Sequence, residues 1–176
     1  MFSLKLPSIE ANLRKEGEKT LIFDSLRKRY VALTPEEWVR QHFVNYLISQ
    51  LHYPAALMAN EISITLNGMT RRCDTVVYSR DLEPLAIIEY KAPSVSISQK
   101  VFEQAIAYNH VLRVPYIIMS NGLMHYCCHI DYAQMSSEVL RELPNYATLS
   151  GCAKTAKSFA DSAGNTILYK NSGTSS

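Results

Sequence analysis

The sequence predicts an α/β or α+β fold. Three observations carry this. Short apolar runs rich in β-branched residues alternate with two longer segments of helical periodicity. Asn67-Gly68, the strongest short hairpin signal, joins two of the short runs. The order along the chain is helix, three-stranded meander, helix, two strands, which suits helices layered on a sheet. A chain of 176 residues, 47% hydrophobic and 19% charged, fits one domain with a real core. That domain is placed at residues 1–149. From 150 to 176 the composition shifts to Gly, Ser, Thr, Ala and Asn, which predicts a flexible tail. Thr166–Tyr169 could still add a strand to it.

Phe2–Leu6 alternates and reads as a short strand. Leu21–Asp24 and Tyr30–Leu33 read as two extended pieces around the basic turn Arg27-Lys28-Arg29. Thr34-Pro35-Glu36-Glu37 opens a helix, with Thr at the N-cap, Pro at the first helical position and acid in the first turn. Trp38, Val39, Phe43, Tyr46 and Leu47 carry it to about Leu51 with an apolar face. Glu61–Leu66 is a strand, Asn67-Gly68 a two-residue turn, and Met69–Tyr78 the next strand. Ser79–Glu83 is a polar turn, and Leu85–Lys91 the third strand of the meander. A second helix runs from Gln99 to Leu112. Pro115–Ser120 reads as a buried strand, Asn121-Gly122 as a turn and Leu123–Ile130 as another strand. Ala133–Leu140 suggests a short final helix.

The chemistry-bearing residues lie in the meander. Asp74, Glu89 and Lys91 interrupt strands in which charge is normally depleted. A turn centred near Asp81 sets Asp74 opposite Glu89. Side chains alternate along a strand, so Glu89 and Lys91 share a face. With a two-residue Asn67-Gly68 turn, Glu61 falls opposite Asp74. Three carboxylates then form one row across three strands, provided neither turn carries a bulge. Like charges directly opposite destabilise a strand pair unless a cation lies between them. In the metal-free protein their repulsion should raise the pKa of the cluster. Carboxylates beside a lysine suit metal-dependent phosphodiester hydrolysis, because hard oxygen ligands hold Mg²⁺. The plain alternative is a solvent-facing cross-strand ion pair.

Asp74, then Glu89-Tyr90-Lys91, then Gln104-Ala105-Ile106-Ala107-Tyr108 together resemble the PD-(D/E)xK nuclease core with the QxxxY element of its RecB-like branch. With Ile87–Pro93 and Ser120-Asn121-Gly122, the chain resembles more narrowly the amino-terminal nuclease domain of type I restriction enzyme R subunits (HsdR). That likeness runs from about Thr34 to Asp131, or on to about Leu149. It implies a restriction-endonuclease-like core, a mixed central sheet flanked by helices, and a Mg²⁺-dependent DNA endonuclease, with Mn²⁺ as a substitute ion. It assigns Asp74, Glu89 and the Tyr90 carbonyl to the metal and Lys91 to the attacking water. Gln104, Tyr108 and, on the first helix, Glu37 would support the site, with Glu61 in the same row. Glu37 has a second explanation as a helix N-terminal acid favoured by the dipole. DNA is the implied partner, with a homodimer or separate motor and specificity subunits as further partners. GxxxxGK(S/T) is absent from these 176 residues, so no ATP-driven motor is encoded in them. A catalytically silent DNA-binding or partner-docking module with the same fold is the alternative.

The net charge of +2 makes no whole-molecule case for nucleic acid, so DNA contact rests on patches such as Arg27-Lys28-Arg29 and Arg71-Arg72. Cys73, Cys127, Cys128 and Cys152 show no disulfide framework, which favours a reducing cytoplasm. No signal peptide or membrane span is legible. His125, Cys127 and His129 share one strand face, but a zinc site lacks a fourth ligand and buried Cys with surface His explains the pattern. Neither GxSxG nor GxGxxG occurs.

Overall fold

The computed structural model describes residues 3–66 and 68–151. A three-stranded antiparallel sheet comes first, built from β1 (Leu13–Glu16), β2 (Lys19–Asp24) and β3 (Arg29–Ala32). Helix α1 (Pro35–Ser49) follows, and a 3₁₀ turn at Ala55–Leu57 leads into the central sheet. That sheet has six strands in chain order: β4 (Met58–Leu66), β5 (Met69–Tyr78), β6 (Pro84–Tyr90), β7 (Tyr116–Ser120), β8 (His125–Asp131) and β9 (Ser136–Leu140). Among the described residues only β6 and β7 pair in parallel, because helix α2 (Gln99–Leu112) carries the chain back between them. The sheet is therefore mixed.

Each helix starts as its sequence dictates. Thr34 is extended and its Oγ1 accepts the Glu37 N–H at 3.0 Å, with Pro35 in the first turn. The Ser98 Oγ likewise accepts the Val101 N–H. Val39, Phe43, Val44 and Leu47 of α1 pack on Ala86, Ile88, Tyr90, Tyr116, Ile118 and Cys127. On the other face, Phe102 and Ala105 of α2 pack on Ile117, Met119, Cys128 and Ile130. Strand alternation sends the adjacent Cys127 and Cys128 into different cores, as expected. All five residues of β7 are buried, as a continuous apolar run requires of a central strand covered on both faces.

Two expected elements differ. The first strand, Phe2–Leu6, does not form over residues 3–6; the Lys5 N–H donates to the Gly122 carbonyl, and Leu4 and Leu6 pack on the α1 core. The expected helix Ala133–Leu140 is instead a turn followed by β9. The Asp131 Oδ1 accepts the N–H groups of Ala133 and Gln134, Met135 takes a left-handed φ of 51°, and β9 pairs with β8. The free edge of β8 supplied hydrogen bonds that a local helical pattern does not reveal. Strand β1 was not legible, because Leu13–Glu16 carries charge and is exposed throughout. Residues 146–151 are helical, so the first two positions of the expected tail continue structure. The remainder of that tail, with Thr166–Tyr169 and Cys152, lies outside the described residues. Cys73, Cys127 and Cys128 are buried.

Asp24 joins the small sheet to the large one. It is fully buried at the end of β2. Its Oδ1 accepts the N–H groups of Leu26 and Arg27, and its Oδ2 accepts from Asn60 Nδ2 at 2.9 Å and from Arg27 Nε. Burial pushes its pKa up, but the Arg27 backbone, Asn60 and the Arg27 guanidinium outweigh this and hold it below the usual 3.8. A depressed folded value stabilises above the unfolded pKa and is lost as pH falls through the folded one. Asp24→Asn should therefore cost roughly 3 kcal/mol at neutral pH, the cost of breaking a buried pair. In urea melts the gap to wild type should narrow as the pH is taken below 3.8; a gap independent of pH would refute the charge argument.

Candidate active site

The paired strands bring Glu61, Asp74 and Glu89 into one row. Asn60↔Thr75 and Ile62↔Cys73 bracket Glu61 opposite Asp74. Thr75↔Ile88 and Val76↔Ile87 extend to Asp74 opposite Glu89. The Asn67-Gly68 loop closes at Leu66↔Met69 as expected, with Asn67 itself outside the described residues. The second turn is not bulge-free: the register shifts between Val77 and Tyr78. The shift lies on the turn side of Val77, so it leaves Asp74 in place.

At the row the ladder itself gives way. Glu61 takes a left-handed φ of 54°, which strand residues avoid. The Asp74 Oδ2 accepts the Tyr90 N–H at 2.8 Å, so a side chain occupies the place of a ladder bond. A strand residue sends its N–H and C=O to the same edge, so the Tyr90 carbonyl is directed toward β5 as well. Glu89, and Lys91 just past β6, have the parity of Ile87; Asp74 departs from simple alternation, since its neighbour Cys73 packs with Val76 and Ile87 while its own Oδ1 lies 3.6 Å from Arg40 of α1. Asp74, Glu89 and Lys91 are half-buried.

The cation within the row is Arg40 of α1, which sequence reading missed. Its side chain is 5% exposed. One terminal nitrogen lies 2.6 Å from Glu61 Oε1 and 3.6 Å from Asp74 Oδ1; the other lies 3.3 Å from Glu37 Oε2. The guanidinium also stands 5.5 Å from the centre of the Tyr90 ring. The signal was present, since Arg40 lies three, four and seven residues before Phe43, Val44 and Leu47 and thus on the buried stripe. Glu61 spends its other oxygen on the largely exposed Arg72, at 2.6 Å. Burial would raise the Glu61 pKa, but hydrogen bonds from Arg40 and Arg72 win and lower it. The expected rise from carboxylate repulsion is therefore corrected at Glu61: guanidiniums, packed in from a helix and a strand, neutralise it.

Glu37 is buried, and both its oxygens have partners. Oε1 accepts from Gln41 and Oε2 from Arg27, at 2.8 Å each. Arg27, read as a surface patch for DNA, is an internal residue bridging Asp24 and Glu37. Gln104 and Tyr108 fall on α2, but their side chains lie outside the described residues. The same holds for Arg71.

Beneath the row stands a buried polar column. Thr75 Oγ1 donates to Asn60 Oδ1 at 2.6 Å. That spends its proton, so the Tyr90 hydroxyl donates to Thr75 Oγ1 at 3.0 Å. Asn60 passes the chain on to Asp24. Burial pushes the Tyr90 phenol well up, which keeps it a neutral donor. On the far side, Ser120-Asn121-Gly122 holds the loop after β6. The Ser120 carbonyl accepts the Lys91 N–H at 2.9 Å, and Asn121 Nδ2 donates to the Val95 carbonyl.

The ligands expected with Asp74, namely Glu89 and the Tyr90 carbonyl, would offer oxygen alone. This set suits a hard divalent ion such as Mg²⁺. Asp74 is 30% exposed, and its Oδ1 lies beyond hydrogen-bond distance of Arg40, so lone pairs remain for a ligand. Among the described residues no three His, Cys, Asp or Glu side chains are grouped to hold a metal by themselves. Backbone oxygen and water would have to complete any shell. Cys127 is buried and its thiol pushed up to about 12, while the His125 ring bonds Ser120 Oγ, so the strand-face zinc idea finds no support.

The family profile described as type I restriction enzyme R protein N terminus (HSDR_N) matches residues 35–144. The chain belongs to that family. Its sheet is similar to that of a solved structure described as a fragment of an HsdR subunit of a type I restriction enzyme from Vibrio vulnificus YJ016, with a TM-score of 0.51 at 19% identity. The alignment covers 72% of this chain and 26% of that one, so the R-subunit relative is about four times the aligned length. The likeness supports the restriction-endonuclease-like fold. No curated protein matches the sequence. No helix among the described residues of this R-protein N terminus is long and apolar enough to cross a membrane.

The column yields a stability test. Thr75→Val keeps the shape but strands Asn60 Oδ1 and removes the acceptor of the Tyr90 hydroxyl. It should cost about 1–3 kcal/mol in chemical denaturation. A cost near zero would mean that the column does not brace the row.

Proposed function

We propose that this chain is a Mg²⁺-dependent endonuclease domain that hydrolyses phosphodiester bonds in DNA. The observation that carries the reading is the Asp74 carboxylate, fixed by the amide of Tyr90, the residue between Glu89 and Lys91 in the sequence. Asp74, Glu89 and the Tyr90 carbonyl would hold Mg²⁺, or Mn²⁺ in its place. Bound there, the ion would polarise a phosphoryl oxygen and acidify a water. The protein's part is positional. The Tyr90 N–H keeps one Asp74 oxygen turned to the strand and leaves the other outward. Lys91, whose backbone is tied to Ser120, would orient the attacking water and offset charge on the phosphorane. Water oxygen bonds to phosphorus as the bond to the 3′ oxygen breaks, leaving a 5′-phosphate and a 3′-hydroxyl. Gln104 and Tyr108 would support the site from α2. The working assembly would include DNA and separate motor and specificity subunits, or a second copy of this chain, in the cytoplasm.

A specific observation favours the silent-module reading: Arg40 already supplies a cation to Glu37, Glu61 and Asp74. Nicking of supercoiled plasmid separates the two. With Mg²⁺ or Mn²⁺, wild type should nick DNA, and Lys91→Ala should lose at least about 100-fold, the scale of a lost positioned group. Lys91→Ala should keep the metal-induced rise in Tm, and Asp74→Asn should lose both the rise and the cleavage. Wild type that binds DNA but neither nicks it nor shifts its Tm with millimolar Mn²⁺ would make the silent module the answer.

A further inference from the structure

We propose that Arg40 is a positioning residue that competes with the metal ion for Asp74, holding the acidic row together until the ion arrives. The inference rests on the metal site proposed above. Its basis is the placement of one guanidinium among three carboxylates. A single Arg40 nitrogen is shared between Glu61, at 2.6 Å, and Asp74, at 3.6 Å. The fork is not saturated. Its Nε and Nη1 are buried without a hydrogen-bond acceptor, although Glu37 Oε2 is 3.3 Å from Nη1. Buried unmet donors are costly and rare in settled structural pairs. A swing of the guanidinium toward Glu37 would close a direct bond at Nη1 and draw the other nitrogen away from Asp74.

A divalent ion on Asp74 repels the guanidinium and favours that swing. Without the ion, Arg40 lowers the cost of burying Asp74 and Glu61 on adjacent strands. Arg40 and the ion are thus linked through one carboxylate, and such linkage is reciprocal: whatever Arg40 contributes to the metal-free fold is subtracted from metal affinity. Arg40 is too deeply buried to touch DNA, so its role acts through Asp74.

The test uses the whole 176-residue chain with Ca²⁺ and Mn²⁺ alone, without DNA, by titration calorimetry and thermal melting. Arg40→Met keeps the aliphatic stem and removes the charge; Arg40→Gln removes the charge but keeps a donor for Glu61. Both should bind metal roughly tenfold more tightly, within the usual range of coupling between sites. Both should melt lower without metal and show a larger metal-induced rise. Arg40→Lys should return both readouts toward wild type. A variant that folds only with Ca²⁺ present supports the same conclusion. Folded Arg40→Met or Arg40→Gln with wild-type or weaker affinity overturns the inference and leaves the proposed function standing, as does failure of both to fold at any metal concentration. Absence of metal binding by wild type overturns the metal site itself, and this inference with it.

Discussion

Carboxylates can stand in a row across adjacent strands only if cations are packed into the row, and the architecture around this site follows from that constraint. Arg40 and Arg72 reach it from a helix and a strand and engage Glu61 and Asp74, while Arg27, from a turn, pairs Asp24 with the Glu37 that Arg40 also meets. Helix α1 meets the demand at the expense of its apolar face. Glu37, Arg40, Gln41 and His42 are buried beside Val39, Phe43, Val44 and Leu47. Buried ion pairs seldom add net stability compared with apolar packing. A helix that buries this much charge is shaped by what it faces, and it faces the open end of β4, β5 and β6.

The same constraint explains the order of the layers. The small sheet β1–β3 contributes Asp24, whose bonds to Arg27 and Asn60 orient two residues that in turn hold Glu37 and Thr75. Tyr90 closes the column from below while its amide fixes Asp74 from beside it. One residue thus ties the hydrophobic core, through Phe43, to the acidic row. The Ser120-Asn121 pair does the equivalent for the loop that begins at Lys91. Membership in the type I restriction enzyme R-protein N-terminal family gives this corner its context, and the sheet shared with the Vibrio fragment shows that the frame recurs at low identity.

Much of this was written in the sequence. Thr34-Pro35 set the start of α1, Asn67-Gly68 set the β4–β5 register, and two-residue alternation gave Glu89 and Lys91 the same parity. These are local rules, in which a residue's conformation depends on its near neighbours. Even the bulge beside Val77 did no harm, because it was absorbed on the turn side of the site. The elements misread were those whose fate lay elsewhere. Ser136–Leu140 became a strand because the edge of β8 was open, and residues 3–6 lost their strand because they cap the Gly122 turn instead.

The charge of the site was decided only by the tertiary structure. Alone, the sequence determined that carboxylates would gather across the meander and that some cation must join them. It could not say that the cation within the protein is Arg40, that Arg27 faces inward, or that Asn60 and Thr75 brace Tyr90. Those pairings span 10 to 36 residues of chain. Nothing local favours one guanidinium over another; the choice is made when a helix closes over a sheet and each buried charge must meet a partner.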